Sequence, residues 1–205
     1  MARAGAPRVE SEAVRREQLL RAARHVFATH GYGRTAVADV VREAGVAQGT
    51  FYLYFPSKQA AFIALYRQLA DAYHLALFDP GLEELPFLRR VEQQVRRSFA
   101  VARTNPDLVR LCHLQVDPES EEAELLAASW TPTVEALEEQ LRRAIAAGEA
   151  RPADVPATAR VLVAAVEAAM FLSCCRADLD PARIEDETVE TVLRAVRPDR
   201  LWRTV

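Results

Sequence analysis

The sequence is poor in cysteine, has a single lysine, Lys58, and contains no long unbroken apolar run. Its three cysteines, Cys112, Cys174 and Cys175, are an odd number at irregular spacing, which excludes the disulfide framework of a small secreted domain. They read as small buried hydrophobes. The adjacent Cys174 and Cys175 leave open an intersubunit disulfide or an oxidant-sensing thiol. The longest apolar stretch, Val161 to Cys175, is broken by Glu167 and Ser173, so it falls short of the ~20 apolar residues of a membrane helix. No apolar core follows the first charged residues, so no signal peptide, no membrane partner and a cytoplasmic location are expected. Catalytic signatures are missing too: there is no Gly-rich phosphate loop, no HExxH and no GxSxG. His25, His30, His74 and His113 lack metal-ligand spacing. We therefore expect no enzyme, no catalytic residues, no metal and no cofactor.

What is present is an ordinary globular composition, 50% hydrophobic and 27% charged. The net charge of −3 hides an asymmetry. Residues 1–58 carry nine Lys or Arg against five Asp or Glu, and residues 59–205 carry seventeen against twenty-four. A basic head on an acidic body suits a chain whose head meets a polyanion. The apolar spacing predicts helices almost throughout, with no strand-like alternation and no repeat. Residues 1–10 read as a loose arm. Ser11 can cap a helix to about His30, and Gly31 and Gly33 end it. Thr35 caps a short helix ended by Gly45, a second runs from about Gln48 to Tyr54, and Pro56 closes it. Ser57 caps a longer helix to about Phe78. Beyond Pro80 and Gly81, helices are expected at about 84–103, 107–116, 119–130, 132–147, 156–177 and 182–196, several opening near a proline.

The informative stretch is Gly31 to Lys58, GYGRTAVADVVREAGVAQGTFYLYFPSK. Two short helices share the turn Gly45-Val46-Ala47, where Gly45 can take the left-handed conformation that a sharp turn needs. Val37, Val40, Val41 and Phe51 supply a small core. This is the pattern of a helix-turn-helix whose second helix enters the major groove of DNA. Seven residues at 1.5 Å each give that helix ~10 Å, which suits a groove ~12 Å wide. Gln48 can pair with adenine, and Thr50 can touch bases or a thymine methyl. Tyr52 and Tyr54 offer hydroxyls, although Tyr52 also reads as partly core. The helix starts at Thr35 and Ser57 are ready phosphate seats, and Lys58 can clamp a phosphate as a point charge. Arg15, Arg16 and Arg34 read equally as phosphate contacts or as solvated surface.

Taken together, Gly31-Tyr32, Thr35, Ala44-Gly45-Val46, Gly49-Thr50, Tyr52, Tyr54-Phe55 and Ser57-Lys58 resemble the DNA-binding signature of the TetR/AcrR family of bacterial regulators. The resemblance covers roughly residues 11–66. Ala47, where the family often has Ser or Thr, and Gln59, where it often has an acid, depart from the pattern. Gln48 and Leu53 fall at variable positions, so Leu53 joins Thr35, Gln48, Gly49, Thr50, Tyr52, Tyr54 and Lys58 as an expected DNA contact whose base preference cannot be copied from a relative.

The resemblance implies an all-α fold: an N-terminal three-helix helix-turn-helix domain (residues 11–58) and a C-terminal helical ligand-binding and dimerisation domain (residues 59–205). It implies a repressor, a homodimer through the helices near 156–177 and 182–196, a palindromic operator in double-stranded DNA, and a small-molecule effector that releases the DNA. Ala164, Ala165, Ala168 and Ala169 allow close helix approach, and a helix apolar on all faces must be buried on all faces. Phe99, Leu111, His113, Trp130, Glu167 and Met170 are the expected effector contacts, although each also reads as plain core or surface. An all-helical adaptor that keeps the fold without binding DNA is the rival reading; the basic head argues against it.

Overall fold

The computed structural model describes residues 12–114, 121–151 and 153–198. Among them, ten α-helices and one 3₁₀ turn follow one another without a strand. They are α1 (Glu12–His30), α2 (Val37–Ala44), α3 (Gln48–Tyr54) and α4 (Lys58–Leu77), the turn Pro80–Leu82, then α5 (Phe87–Thr104), α6 (Pro106–Leu114), α7 (Glu121–Ser129), α8 (Thr131–Ala146), α9 (Val155–Cys175) and α10 (Pro181–Val196). The expected Ser11 cap and the arm at 1–10 lie outside the described residues. The chain divides into two units, the first ending at Leu65 and the second starting at Tyr66.

In the first unit, α1 buries Leu19, Leu20, Ala23, Val26 and Phe27 along one stripe. Val40, Val41 and Ala44 of α2 and Phe51 of α3 close that core. The rings of Phe27, Tyr32 and Phe62 cluster with centroids 4.7–6.3 Å apart. The start of α2 differs from the sequence expectation. Thr35 is buried and its hydroxyl donates to the Gly31 carbonyl at 2.8 Å. The cap position is Ala36, whose N–H donates to the Asp39 carboxylate at 2.9 Å. That bond, aided by Arg42, holds the Asp39 carboxyl below its usual range. An acid in the first turn thus does the work expected of a cap hydroxyl.

In the second unit, α5 starts at Phe87 rather than near 84, because the Asp79 carboxylate accepts the Gly81 N–H at 2.8 Å and fixes a separate 3₁₀ turn with Leu82 buried. The amides of Gln94 on α5 and Gln140 on α8 exchange two hydrogen bonds of 2.9 Å, and Gln94 also donates to the Leu77 carbonyl. These bonds satisfy a buried polar group. Arg96 on α5 reaches Glu185 and Asp186 on α10 at 3.3 and 3.0 Å.

The apolar stripe of α10 turns inward as Val189, Val192, Leu193 and Val196, while its outer face carries Arg183, Glu187, Glu190 and Arg194. Helix α9 is different. It has 21 residues and a window of mean hydropathy 1.6, so its length and composition would allow it to cross a membrane. The sequence reading missed this, because the single acid Glu167 is diluted over a full 21-residue helix. Only Ala159 and Met170 of α9 are buried within the chain. The expectation of burial on all faces is therefore not met by one chain alone.

Candidate nucleic-acid interface and effector pocket

The turn between α2 and α3 is built by Gly45, at φ 67° and ψ 33°. In that left-handed conformation its N–H reaches the Arg42 carbonyl at 3.2 Å, and the Val46 N–H reaches the Val41 carbonyl at 3.0 Å. These bonds satisfy the orphan carbonyls of α2 and reverse the chain within three residues. Helix α3 starts directly after Ala47, with no side-chain cap.

Phe51 anchors α3 in the core at 0% exposure, so the opposite face is presented outward. That face carries Gln48, Gly49, Tyr52 and Leu53, all exposed, with Thr50 and Tyr54 half-buried beside it. Leu53 is 80% exposed, so its apolar side chain is available to another surface. A Cβ built on Gly49 would meet nothing within 4 Å, so packing inside the chain does not require a glycine there. Tyr52, expected to be partly core, is 51% exposed.

Two expected contacts sit elsewhere. Thr35 is buried with its hydroxyl committed to Gly31. Lys58 directs its ammonium back into the first unit, donating to the carbonyls of Tyr32 and Thr35 at 2.8 Å each, over the Tyr32 ring. Partial burial lowers its pKa. This geometry makes Lys58 a brace of the loop before α2 rather than an outward phosphate clamp. Its partners lie 23 and 26 residues away in sequence, which no local pattern reveals.

In the second unit an apolar cavity of about 70 Å³ is lined by Tyr73, Val95, Trp130, Glu167 and Met170 among others. A wider groove of about 830 Å³ shares Trp130, Val163 and Glu167 with it and adds Tyr66, His113 and Arg160. Of the six expected effector contacts, Trp130, Glu167 and Met170 line the cavity, and His113 lines the groove. Phe99 and Leu111 line neither; they are core residues at 1% and 4% exposure. Helical periodicity identified their apolar side but not which neighbour it faces. The sequence reading missed Tyr66, whose hydroxyl accepts the Trp130 indole N–H at 2.6 Å, and Tyr73, whose ring lies 5.4 Å from Trp130. His113 stacks on Phe171 at 4.5 Å, and desolvation lowers its pKa. Burial raises that of Glu167. Cys174 and Cys175 are free thiols within the chain, and burial pushes the Cys174 thiol up, away from the reactive thiolate.

An all-helical chain with a glycine-turned helix pair and an exposed polar-and-apolar face on the second helix has the architecture of a helix-turn-helix regulator. Residues 19–65 match the family described as bacterial regulatory proteins, tetR family. The chain is 31% identical over 133 residues to the uncharacterized HTH-type transcriptional regulator YvdT of Bacillus subtilis, covering 63% of this chain and 66% of that protein. It is 30% identical over 104 residues to the HTH-type transcriptional regulator RutR of Escherichia coli, covering 51% and 49%. The matches thus span 66% and 49% of these relatives' lengths. The fold is also that of the transcriptional regulator FadR from Bacillus subtilis, solved in complex with stearoyl-CoA: TM-score 0.78, 19% identity, 88% of this chain and 99% of that one. Through its N-terminal domain the chain belongs to the TetR family of bacterial regulatory proteins. These relatives are named as regulators and not as enzymes.

Proposed function

We propose that the protein is a sequence-specific DNA-binding transcriptional regulator, a repressor that binds a palindromic operator as a homodimer and leaves it when a small molecule occupies the second unit. The carrying observation is the exposed face of α3. Gln48, Gly49, Tyr52 and Leu53 stand out from a helix pinned by Phe51, on a unit whose sequence is basic. A side chain such as Gln48 can read a base edge, and Leu53 a thymine methyl.

Helix α9 supports the dimer. Val161, Ala165, Ala168 and Leu172 recur at helical spacing and are all exposed, Val161 by 66%. Such a smooth apolar face is unfavourable in water and lets a second helix approach closely. The outward face of α10 is charged, so α9 supplies the centre of the contact and α10 its rim. A two-fold dimer implies half-sites about one helical turn, or a multiple of it, apart.

Selection from a randomised duplex library at fixed salt tests this reading. The expected outcome is an enriched palindrome. Weak, salt-sensitive binding without enrichment, with and without cell extract as a source of effector, would instead support the adaptor reading.

A further inference from the structure

Among the described residues of the second unit, Glu167 is a half-buried carboxylate without a hydrogen-bond or ion-pair partner. It sits within α9 and lines both the apolar cavity and the groove beside it. An acid in such a place destabilises the fold unless something completes it.

Three aromatic rings stand around the same spot. Trp130 lines both spaces with Glu167, Tyr73 walls the cavity, and Tyr66 walls the groove. The Trp130 indole is fixed by its hydrogen bond to Tyr66 and lies edge-on to that ring and tilted against Tyr73. Fixed aromatic faces attract a cation, the more so where water is excluded.

Acids outnumber cations in the groove. Its lining carries Glu135, Glu138 and Glu167 against a single arginine, Arg160. With Glu138 paired to Arg160 and Arg142, the acids without a salt bridge among the described lining residues are Glu135 and Glu167. Arg160 is already committed, 3.1 Å from Glu138 and bonded to the Pro156 carbonyl. Desolvation lowers the pKa of His113, which favours its neutral form. Among the described lining residues an anionic headgroup would find no uncommitted arginine or lysine, whereas a cation would meet the unpaired acid Glu167.

From this juxtaposition of an unpaired carboxylate, an aromatic wall and an apolar cavity, we infer that the site takes an organic cation with an apolar tail. Glu167 is the counter-charge, Trp130 and its neighbours hold the cationic head, and the tail runs along the wider groove with only part of its length reaching the small cavity. The inference rests on the reading of the second unit as an effector domain. It names a ligand class opposite in charge to the acyl-CoA seen with the FadR fold relative.

Three probes of one chain length separate the possibilities: decyltrimethylammonium, decanol and decanoate, each titrated calorimetrically into the full chain below its micelle concentration. The cation should bind tightest. Glu167→Gln should weaken the cation by about tenfold or more while leaving decanol unchanged. Trp130→Leu should weaken the cation roughly threefold or more relative to decanol. Decanoate binding as tightly as the cation, an unaffected cation affinity in Glu167→Gln, or no binding of any probe would overturn the inference. Both variants are first checked for an unchanged helical signal. The same probes are then added to the protein on its selected duplex. A cation that binds through Glu167 but leaves the DNA complex intact sustains the ligand class and removes the release mechanism. Decanoate that displaces the DNA where the cation does not sustains release and removes the ligand class.

Discussion

The Lys58 ammonium lies 2.8 Å from the main-chain carbonyl of Tyr32 and 4.2 Å from the centre of the same residue's ring. One side chain thus grips both the backbone and the face of a residue in the loop before α2. A second bond to the Thr35 carbonyl completes the grip. Hydrogen bonds from a charged group are worth about 1.5–3 kcal/mol, and partial access to water puts this one near the lower end. Lys58→Ala should therefore lower the stability of the first unit by about 1.5 kcal/mol in urea denaturation. The slope of log affinity for DNA against log salt should stay the same. A slope reduced by about one would restore Lys58 as a phosphate contact.

Gly45 and Gly49 should respond in opposite ways to the same change. Neither would bring a new Cβ within 4 Å of another atom. Gly45, however, sits at φ 67°, where any L side chain is strained, so Gly45→Ala should cost about 1–2 kcal/mol. Gly49 lies inside α3 with ordinary φ, so Gly49→Ala should leave the melting temperature unchanged or raise it. Its methyl group would stand on the outward face, and affinity for the selected operator should fall. Unchanged operator affinity in Gly49→Ala would remove this face from the DNA interface.

The two ends of the exposed face are expected to differ from its flanks in kind. Gln48→Ala and Leu53→Ala should each relax preference at one operator position by ~1–3 kcal/mol, while affinity for random duplex changes little. Binding measured against single-base operator variants at one salt concentration checks this. Equal loss on operator and random DNA for both changes would mean that α3 does not read bases.

The helix-turn-helix was legible because its determinants are local: Gly45, the valines of α2 and Phe51 act within about fifteen residues of one another. Helical periodicity made the all-helical character legible, while the two-domain architecture came from the resemblance to the TetR/AcrR signature. Distant partnerships were not legible. Nothing near Lys58 announces the carbonyls of Tyr32 and Thr35, and nothing near Trp130 announces the hydroxyl of Tyr66. Periodicity also fails to say which apolar stripe meets a cavity, which is why Phe99 and Leu111 were grouped with Trp130 and Met170. At Thr35 the local rule misled, because a β-branched hydroxyl can bond backward to Gly31 while an acid three residues into α2 takes over the cap.

The exposed stripe of α9 gives a direct handle on assembly. Ala165 and Ala168 are exposed and line neither the cavity nor the groove. Glu at either position is harmless to a lone chain but places an unpaired charge in a close helix contact, at a cost of several kcal/mol. Ala168→Glu should shift the protein from dimer to monomer in sedimentation at micromolar concentration, with its helical signal retained. It should also lose operator affinity far more than random-duplex affinity, because only the specific complex needs both heads in register. An Ala168→Glu protein that stays dimeric would place the subunit contact elsewhere.

Glu167 also makes stability depend on pH with a definite sign. Burial holds its carboxyl above its ordinary pKa of 4.5 in the folded chain. Below 4.5 the group is protonated in both states and contributes nothing. As pH rises through 4.5 the unfolded chain releases its proton first, and the folded state loses stability until pH exceeds the raised value. The penalty is then complete and constant. Glu167→Gln, which keeps the shape and removes the charge, should match the parent at pH 4 and be the more stable protein at pH 8. Urea midpoints at the two pH values measure this, with no added ligand. The other carboxylates of the groove, Glu135 and Glu138, are present in both proteins and cancel in the comparison. A variant equally or less stable at pH 8 would mean that the Glu167 carboxylate is already compensated in the free protein, and the site would then have no charge left for a ligand to satisfy.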